Sequence, residues 1–415
     1  MDAASMVSVL LDYFEKSKNA YVWLETCEDE GLFSKLDPKV FELERYDGTT
    51  LLHVLARHKL LSTLPSEVMT AQSVTKKNAA GKSPLSIALE ARCIEQVPER
   101  LITSETMFVH YVDNEYRPQN MPVTGVPLLE LACVYEEAEN LPEAFWTKDV
   151  AAARFGARST CLHLLAQHGL LELVSEHLTE ELVMARDDGY NTVLHVAAAN
   201  GCLDKVPEKL LVDCALSSGR DGYNNTVFHI AAQSGYLDQL PASLLTRDSI
   251  FATGAFKRTC VHCAALNQNG DVKQIPAWLL GEGCMHREYQ EATPLHLAAE
   301  SGKLKDFAEL LDEEALYAVD KSGDTVFHLA ARYGDFAGIP KKYINAESLL
   351  LEDNVGKTAL SYLSVHNTLD LVLGTPLPDY VKDVDPEWLH KNAELVKSLA
   401  SISGEVLTSS EIDLF

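Results

Sequence analysis

Along most of the chain the apolar positions return in one short arrangement: a hydroxyl residue, two apolar residues, a histidine, then an apolar residue and two small ones. It reads TLLHVLA at 50–56, TCLHLLA at 160–166, TVLHVAA at 192–198, TVFHIAA at 226–232, TCVHCAA at 259–265, TPLHLAA at 293–299 and TVFHLAA at 325–331. Weaker copies stand at SPLSIAL (83–89), PLLELAC (127–133) and TALSYLS (358–364). The copies are separated by 33, 44, 33, 32, 34, 33, 34, 32 and 33 residues, so one step carries eleven extra residues and the others hold one period. A hydroxyl residue directly before an apolar run at helical spacing predicts an N-cap, at Thr192, Thr226, Thr293 and Thr325 among others. Pairs such as Ala231–Ala232 and Ala298–Ala299 favour the helix and let neighbours approach closely. Gly201, Gly235, Gly302 and Gly334 then predict left-handed helix stops. Ahead of the hydroxyl, Asp320–Thr325 and Asp353–Thr358 read as tight turns, or fingers. Asn224 fills the glycine position of its own finger, as asparagine can at modest cost.

The second half of each period carries a proline where another helix would run, at Pro65, Pro98, Pro142, Pro207, Pro241, Pro276 and Pro340. Proline removes a helical N–H and clashes with the preceding turn, so an unbroken helix is not expected. It is tolerated at a first helical position. The expectation is a short turn such as LDQL, a new helix beginning at Pro241 and running through Leu244–Leu245, and then a capped turn. Thr70–Ser73, Thr103–Thr106, Thr179–Leu182, Thr246–Ser249 and Asn345–Ser348 supply that last step.

Period and phrase together resemble the ankyrin repeat across roughly residues 45–373. The resemblance implies an all-α solenoid of about ten helix-turn-helix units with terminal capping helices, a curved rod of ~100 Å at ~10 Å per helix layer. The Leu-x-x-Ile/Leu-Pro variant resembles bacterial and phage ankyrin proteins. Residues 1–44 read as an N-terminal helical cap with a degenerate repeat, and residues 374–415 as a capping helix and acidic tail. The eleven extra residues fall in an insertion at about 107–127, where Tyr111, Tyr116 and Arg117 could form a contact loop. In ankyrin proteins the phrase histidine bonds backbone between adjacent fingers, and seven periodic copies fit that better than an active site, which needs one constellation.

Composition narrows the function. Of 415 residues 47% are hydrophobic and 23% charged, a globular balance without the long apolar run of a membrane helix. The opening residues lack a basic segment before their apolar run, which argues against a secretory signal. Nine cysteines without paired spacing point to reduced thiols and a cytoplasmic setting, in its own cell or a host's. The formal net charge of −26 repels nucleic acid and anionic membranes.

Motifs for chemistry are weak. Gly81-Lys82-Ser83 and Gly356-Lys357-Thr358 end like a phosphate loop but lack its first glycine and its strand. Cys260, Cys263, Cys284 and His286 have the residue types of a zinc site, yet Cys260 and Cys263 occupy core positions of the repeat. No nucleophile–base pattern is present, so neither enzyme activity nor a cofactor is expected. The fingers carry the sharper signal. Arg154, Arg186, Arg220 and Arg287 each stand six residues before their threonine, joined by Arg158, Lys257 and Arg258. Phe155, Tyr190, Tyr223, Phe256 and Tyr289 add one aromatic per copy. The six residues before each threonine hold seven bases against five acids in these five copies. This predicts a basic–aromatic stripe on the concave edge of a protein monomeric on its own, able to bind a partner protein with an acidic surface or a phosphate-bearing ligand rather than duplex DNA. The competing expectation is an acidic nucleic-acid mimic that blocks a basic enzyme cleft.

Overall fold

One phrase carries cap, core face and stop, and the first helices form where it stands. A computed structural model describes residue 41 and residues 44–111, 126–155, 158–216, 221–288 and 290–365. The expected capping segments, residues 1–44 and 374–415, lie almost wholly outside the described residues, as do Tyr116 and Arg117 of the insertion. The chain divides into two compact units, residues 1–188 and 189–415.

In the second unit the helices Val193–Asn200, Val227–Ser234, Cys260–Leu266, Pro294–Ser301, Val326–Tyr333 and Ala359–Val365 stack each upon the next. Thr192, Thr226, Thr259, Thr293 and Thr325 hold extended backbone as N-caps, and the histidine three residues on reaches back to close a capping box. The alanine pairs behind them are fully buried, which is what close stacking requires. Gly201, Gly235, Gly302 and Gly334 end their helices with φ of 71° to 85°. In the first unit Leu51–Arg57, Pro84–Glu90 and Leu128–Val134 stack in the same way, and Cys161–Gln167 packs on Lys148–Ala152.

The second halves break at proline as expected, with one correction. Pro98, Pro142, Pro207, Pro241, Pro276 and Pro340 are not first helical residues but caps, with φ of −51° to −62° and ψ of 130° to 141°. Extended ψ carries the ring clear of the preceding turn, while the proline carbonyl still accepts a bond three residues on, as from the Leu244 N–H at 2.9 Å. Most copies then make a three-residue 3-10 turn, such as Ala242–Leu244. A true helix forms only after Pro207 and Pro276, at Glu208–Cys214 and Ala277–Gly283. The capped turn comes next: Thr70, Thr103, Thr246 and Asn345 close boxes with Ser73, Thr106, Ser249 and Ser348, and Thr179 accepts from the Leu182 N–H.

Breaking the second helix leaves backbone N–H groups that need partners. A glutamine in the following copy provides them. Gln96, Gln239 and Gln274 accept from the N–H groups of Leu61, Leu203 and Leu237 at 2.8–3.0 Å. The amides of Gln239 and Gln274 also donate to the carbonyls of Gly201 and Gly235. Glu137 and Asp335 do the same work for Ile94 and Leu304. Lys303 is a further clamp. Its stop-glycine neighbour in the preceding copy, Gly270, comes two residues late, and the buried Lys303 ammonium donates to the carbonyls of Ala264, Asn267 and Gly270. No helix among the described residues is long and apolar enough to cross a membrane.

Candidate functional site

The fingers are positioned by the histidines. In all seven intact copies the threonine N–H donates to histidine Nδ1 at 3.1–3.2 Å. An accepting Nδ1 assigns the proton to Nε2. In five of these copies that nitrogen faces a backbone carbonyl of the following copy: Lys82 for His53, Arg258 for His229, Ala292 for His262, Asp324 for His296 and Leu351 for His328, at 2.8–3.3 Å. Burial pushes His53 and His262 down to about 4 and lowers His296, so these rings are neutral near pH 7. Where serine replaces histidine the contact shortens: Ser86 accepts from the Ser83 N–H and donates to the Ser83 carbonyl, closing on itself.

Within the second unit, adjacent fingers are also tied near their tips. The Gly222 N–H donates to the Gly189 carbonyl (2.9 Å), Ala255 N–H to Asn225 Oδ1 (3.1 Å), Lys321 N–H to the Gln290 carbonyl (2.9 Å) and Asn354 N–H to the Ser322 carbonyl (3.1 Å). The tips thus form a rail rather than independent loops. Three of them in succession expose an aromatic ring: Tyr190 at 53%, Tyr223 at 79% and Phe256 at 67%. Rings exposed on a hydrogen-bonded frame have little ordering to undergo when a partner covers them.

The other expected stripe residues differ in their surroundings. Arg220 and Tyr289 lie outside the described residues. In the first unit Arg154 is exposed and donates to the Arg158 carbonyl, Arg158 is exposed, and Arg186 is half-buried. Phe155 is also half-buried, edge-on to Phe108 with centroids 5.0 Å apart, which gives its ring a partner on the chain itself. In the second unit Lys257 is exposed. The Arg258 guanidinium lies 5.3 Å above the Phe256 ring and 3.4 Å from the buried Glu288 carboxylate. Arg287 donates to the carbonyls of Glu291 and Val319, bracing its own finger and the next.

One backbone feature of the tips escapes a reading by residue type. Two residues before the hydroxyl, the chain turns left-handed in every copy where that position is Gly48, Gly81, Gly323 or Gly356, with φ of 75° to 78°. In four consecutive fingers of the second unit the same position and hand belong to Tyr190 (63°), Asn224 (72°), Lys257 (60°) and Glu291 (61°). Tyr190, Asn224, Lys257 and Glu291 are all exposed.

The remaining candidates are accounted for locally. Cys260, Cys263 and Cys284 are buried thiols; Cys260 donates to the Ser249 carbonyl, and burial raises Cys263 and Cys284 to about 12. The His286 ring lies against Phe251 at 4.5 Å. No group of three or more His, Cys, Asp or Glu that could hold a metal ion is found among the described residues. Ser83 caps a repeat helix, and Lys82 beside it pairs with Glu90 at 2.9 Å. In Gly356-Lys357-Thr358, Thr358 likewise accepts from the Ser361 N–H.

No curated protein matches the chain. Residues 162–242 match the family model for ankyrin repeats (3 copies). The same capped phrase and histidine bridge recur on both sides of that segment, from Thr50 to Thr325, with glycine stops after it at Gly302 and Gly334 and Lys59 in the left-handed stop position before it. Residues 162–242 are similar to ankyrin repeats, and they lie within a longer all-α array of like copies.

Proposed function

We propose that this chain binds a partner protein through the finger face of its second unit, without catalysis of its own. Ankyrin repeats are in general protein–protein interaction modules and typically non-catalytic. The observation that carries the reading is the row Tyr190, Tyr223 and Phe256, exposed on fingers that are bonded to one another. Aromatic side chains give large contact area at little entropic cost, and arginine and tyrosine are favoured where binding energy concentrates. The action is steric: a preformed surface that positions or blocks its partner, as an effector or an inhibitor in the cytoplasm.

The test replaces Tyr190, Tyr223 and Phe256 by alanine together. Affinity purification with mass spectrometry from the native cell identifies what the wild-type chain retains, and the triple variant releases it while its circular dichroism is unchanged. Full retention by a folded triple variant refutes the finger reading. The second reading, an acidic surface that mimics nucleic acid, is favoured by exposed carboxylates along the proline side of the first unit, among them Glu95, Glu99, Glu105, Glu139 and Glu143. Under it, capture survives the triple substitution and fades steeply with added salt.

A further inference from the structure

The left-handed finger position offers a way to separate residues kept for the fold from residues kept for contact. A side chain at positive φ crowds its own backbone, a cost of the left-handed conformation that glycine avoids. Four fingers use glycine there. Crowding from neighbours does not explain that choice throughout: a Cβ at Gly356 would meet nothing nearer than the Glu352 carboxylate at 3.8 Å. Room is available and glycine is still used, so the φ itself selects it. Against this background Tyr190, Lys257 and Glu291 hold a conformation that glycine would reach more cheaply, and Phe256 joins Lys257 in the same conformation. Asn224 enters this region cheaply and is the least informative of the row. Elsewhere Lys59, Arg92 and Glu136 also have positive φ, and there Arg92 and Glu136 form an ion pair with each other at 3.0 Å. The finger side chains stand at one repeat position in four successive loops, the first three of which are hydrogen-bonded to one another at their tips. Persistent strain at an exposed position is a mark of function.

Charge indicates what they meet. In the finger 221–226 the only acid, Asp221, is buried, with its Oδ1 accepting the N–H groups of Tyr223 and Asn225. The finger 254–259 contains no acid, and its exposed charge is that of Lys257 with part of Arg258. Cationic charge is therefore concentrated at the Phe256 finger, while the Tyr190 finger carries Asp187 and the exposed Asp188. Glu291 ends the row with the opposite sign.

Resting on the proposed finger reading, we infer that Tyr190, Asn224, Lys257 and Glu291 stand in place of glycine because they contact the partner, and that the partner offers an extended segment with apolar side chains and carboxylates opposite the Phe256 finger. The apolar side chains lie on the three rings, the carboxylates face Lys257 and Arg258, and the acidic stretch stops before Glu291.

The experiment makes four single glycine substitutions in the full chain and follows stability by urea unfolding. Binding is followed with short peptides selected by phage display from a random library against the wild-type chain and measured by fluorescence anisotropy. Tyr190→Gly, Lys257→Gly and Glu291→Gly raise the folded-to-unfolded ratio about two- to fivefold, after glycine's own entropic cost, while Asn224→Gly changes it little. The selected peptides are rich in Asp, Glu and apolar residues. They bind Tyr190→Gly and Lys257→Gly about tenfold or more weakly, and bind Ser322→Ala, on a glycine-bearing finger, as they bind wild type. Because these variants are more stable, lost binding is not lost fold. Glycine variants that are less stable show that the side chains serve the fold and overturn the inference. Variants that are stabilised but bind as before overturn it too, while the finger reading is then decided separately by Tyr223→Ala and Phe256→Ala. Peptides without acidic enrichment, or no peptide at all, overturn the assigned partner chemistry.

Discussion

Acid should loosen this protein through its histidines, well before its carboxylates are neutralised. The perturbation is a drop from near neutrality to about pH 5. His53 and His262 are held at about 4 in the folded chain, against 6.5 when unfolded, with burial the largest cause. The unfolded chain therefore binds more protons through this window, and stability falls as pH falls. The stabilisation is fully present above 6.5 and is lost progressively towards 4. At pH 5 the unfolded ring is almost wholly protonated and the folded ring almost wholly neutral, which costs about 2 kcal/mol for each histidine. His53 lies in the first unit and His262 in the second, so both units lose part of a total stability that is typically only about 5–15 kcal/mol. His296 shifts in the same direction and adds to the second. Asp324, Asp335, Glu130 and Glu300 are raised by burial and act oppositely, gaining stability as pH falls. A difference of differences isolates the ring: urea unfolding of wild type and His262→Gln at the two pH values. The variant is weaker near neutrality, having lost the bridge to Ala292, but its loss on acidification should be smaller by about 2 kcal/mol. Equal acid losses in the two proteins, or a folded His262 titrating near its unfolded value by NMR, would refute the reasoning.

Other outcomes can be checked with the same unfolding measurements. Lys303→Met removes the donor for three backbone carbonyls and should cost about 2–4 kcal/mol, with the largest gain in hydrogen exchange around Ala264–Gly270. Gln274→Ala leaves the Leu237 N–H and the Gly235 carbonyl without their partner and should cost about 1–3 kcal/mol, whereas Gln268→Ala, at an exposed contact, should cost little. Phe327→Ala empties a fully buried site between neighbouring copies and should cost about 3–5 kcal/mol, read as a lower urea midpoint in the second unit.

Much of this fold is legible in the sequence because its information is local. Thr226, His229, Ala231–Ala232 and Gly235 specify cap, bridge, contact and stop within one short span, and proline marks where the second helix must break. The terms that stay hidden act between copies. Gln274 finds its partner at Leu237, and nothing in the sequence near either residue announces the pairing. Lys303 looks like a surface lysine until the late Gly270 of the preceding copy opens three carbonyls to it. At the fingers, residue type alone marks Arg287 as a binding candidate, while its guanidinium is engaged by the carbonyls of Glu291 and Val319. Residue type also passes over Glu291, whose signal is the absence of a glycine at a position where other copies have one.

The self-closed serine at Ser86 has a consequence for how this chain can lengthen. A histidine bridge fixes the distance between one copy and the next, so added residues at a bridged junction would have to be accommodated against that bond. Ser86 is too short to reach the following copy, and its hydroxyl is already committed to Ser83. The junction after it is the one that carries the eleven additional residues. The histidine-to-serine exchange and the insertion thus fall at one and the same junction, where no histidine bridge holds a copy at a fixed distance from the next.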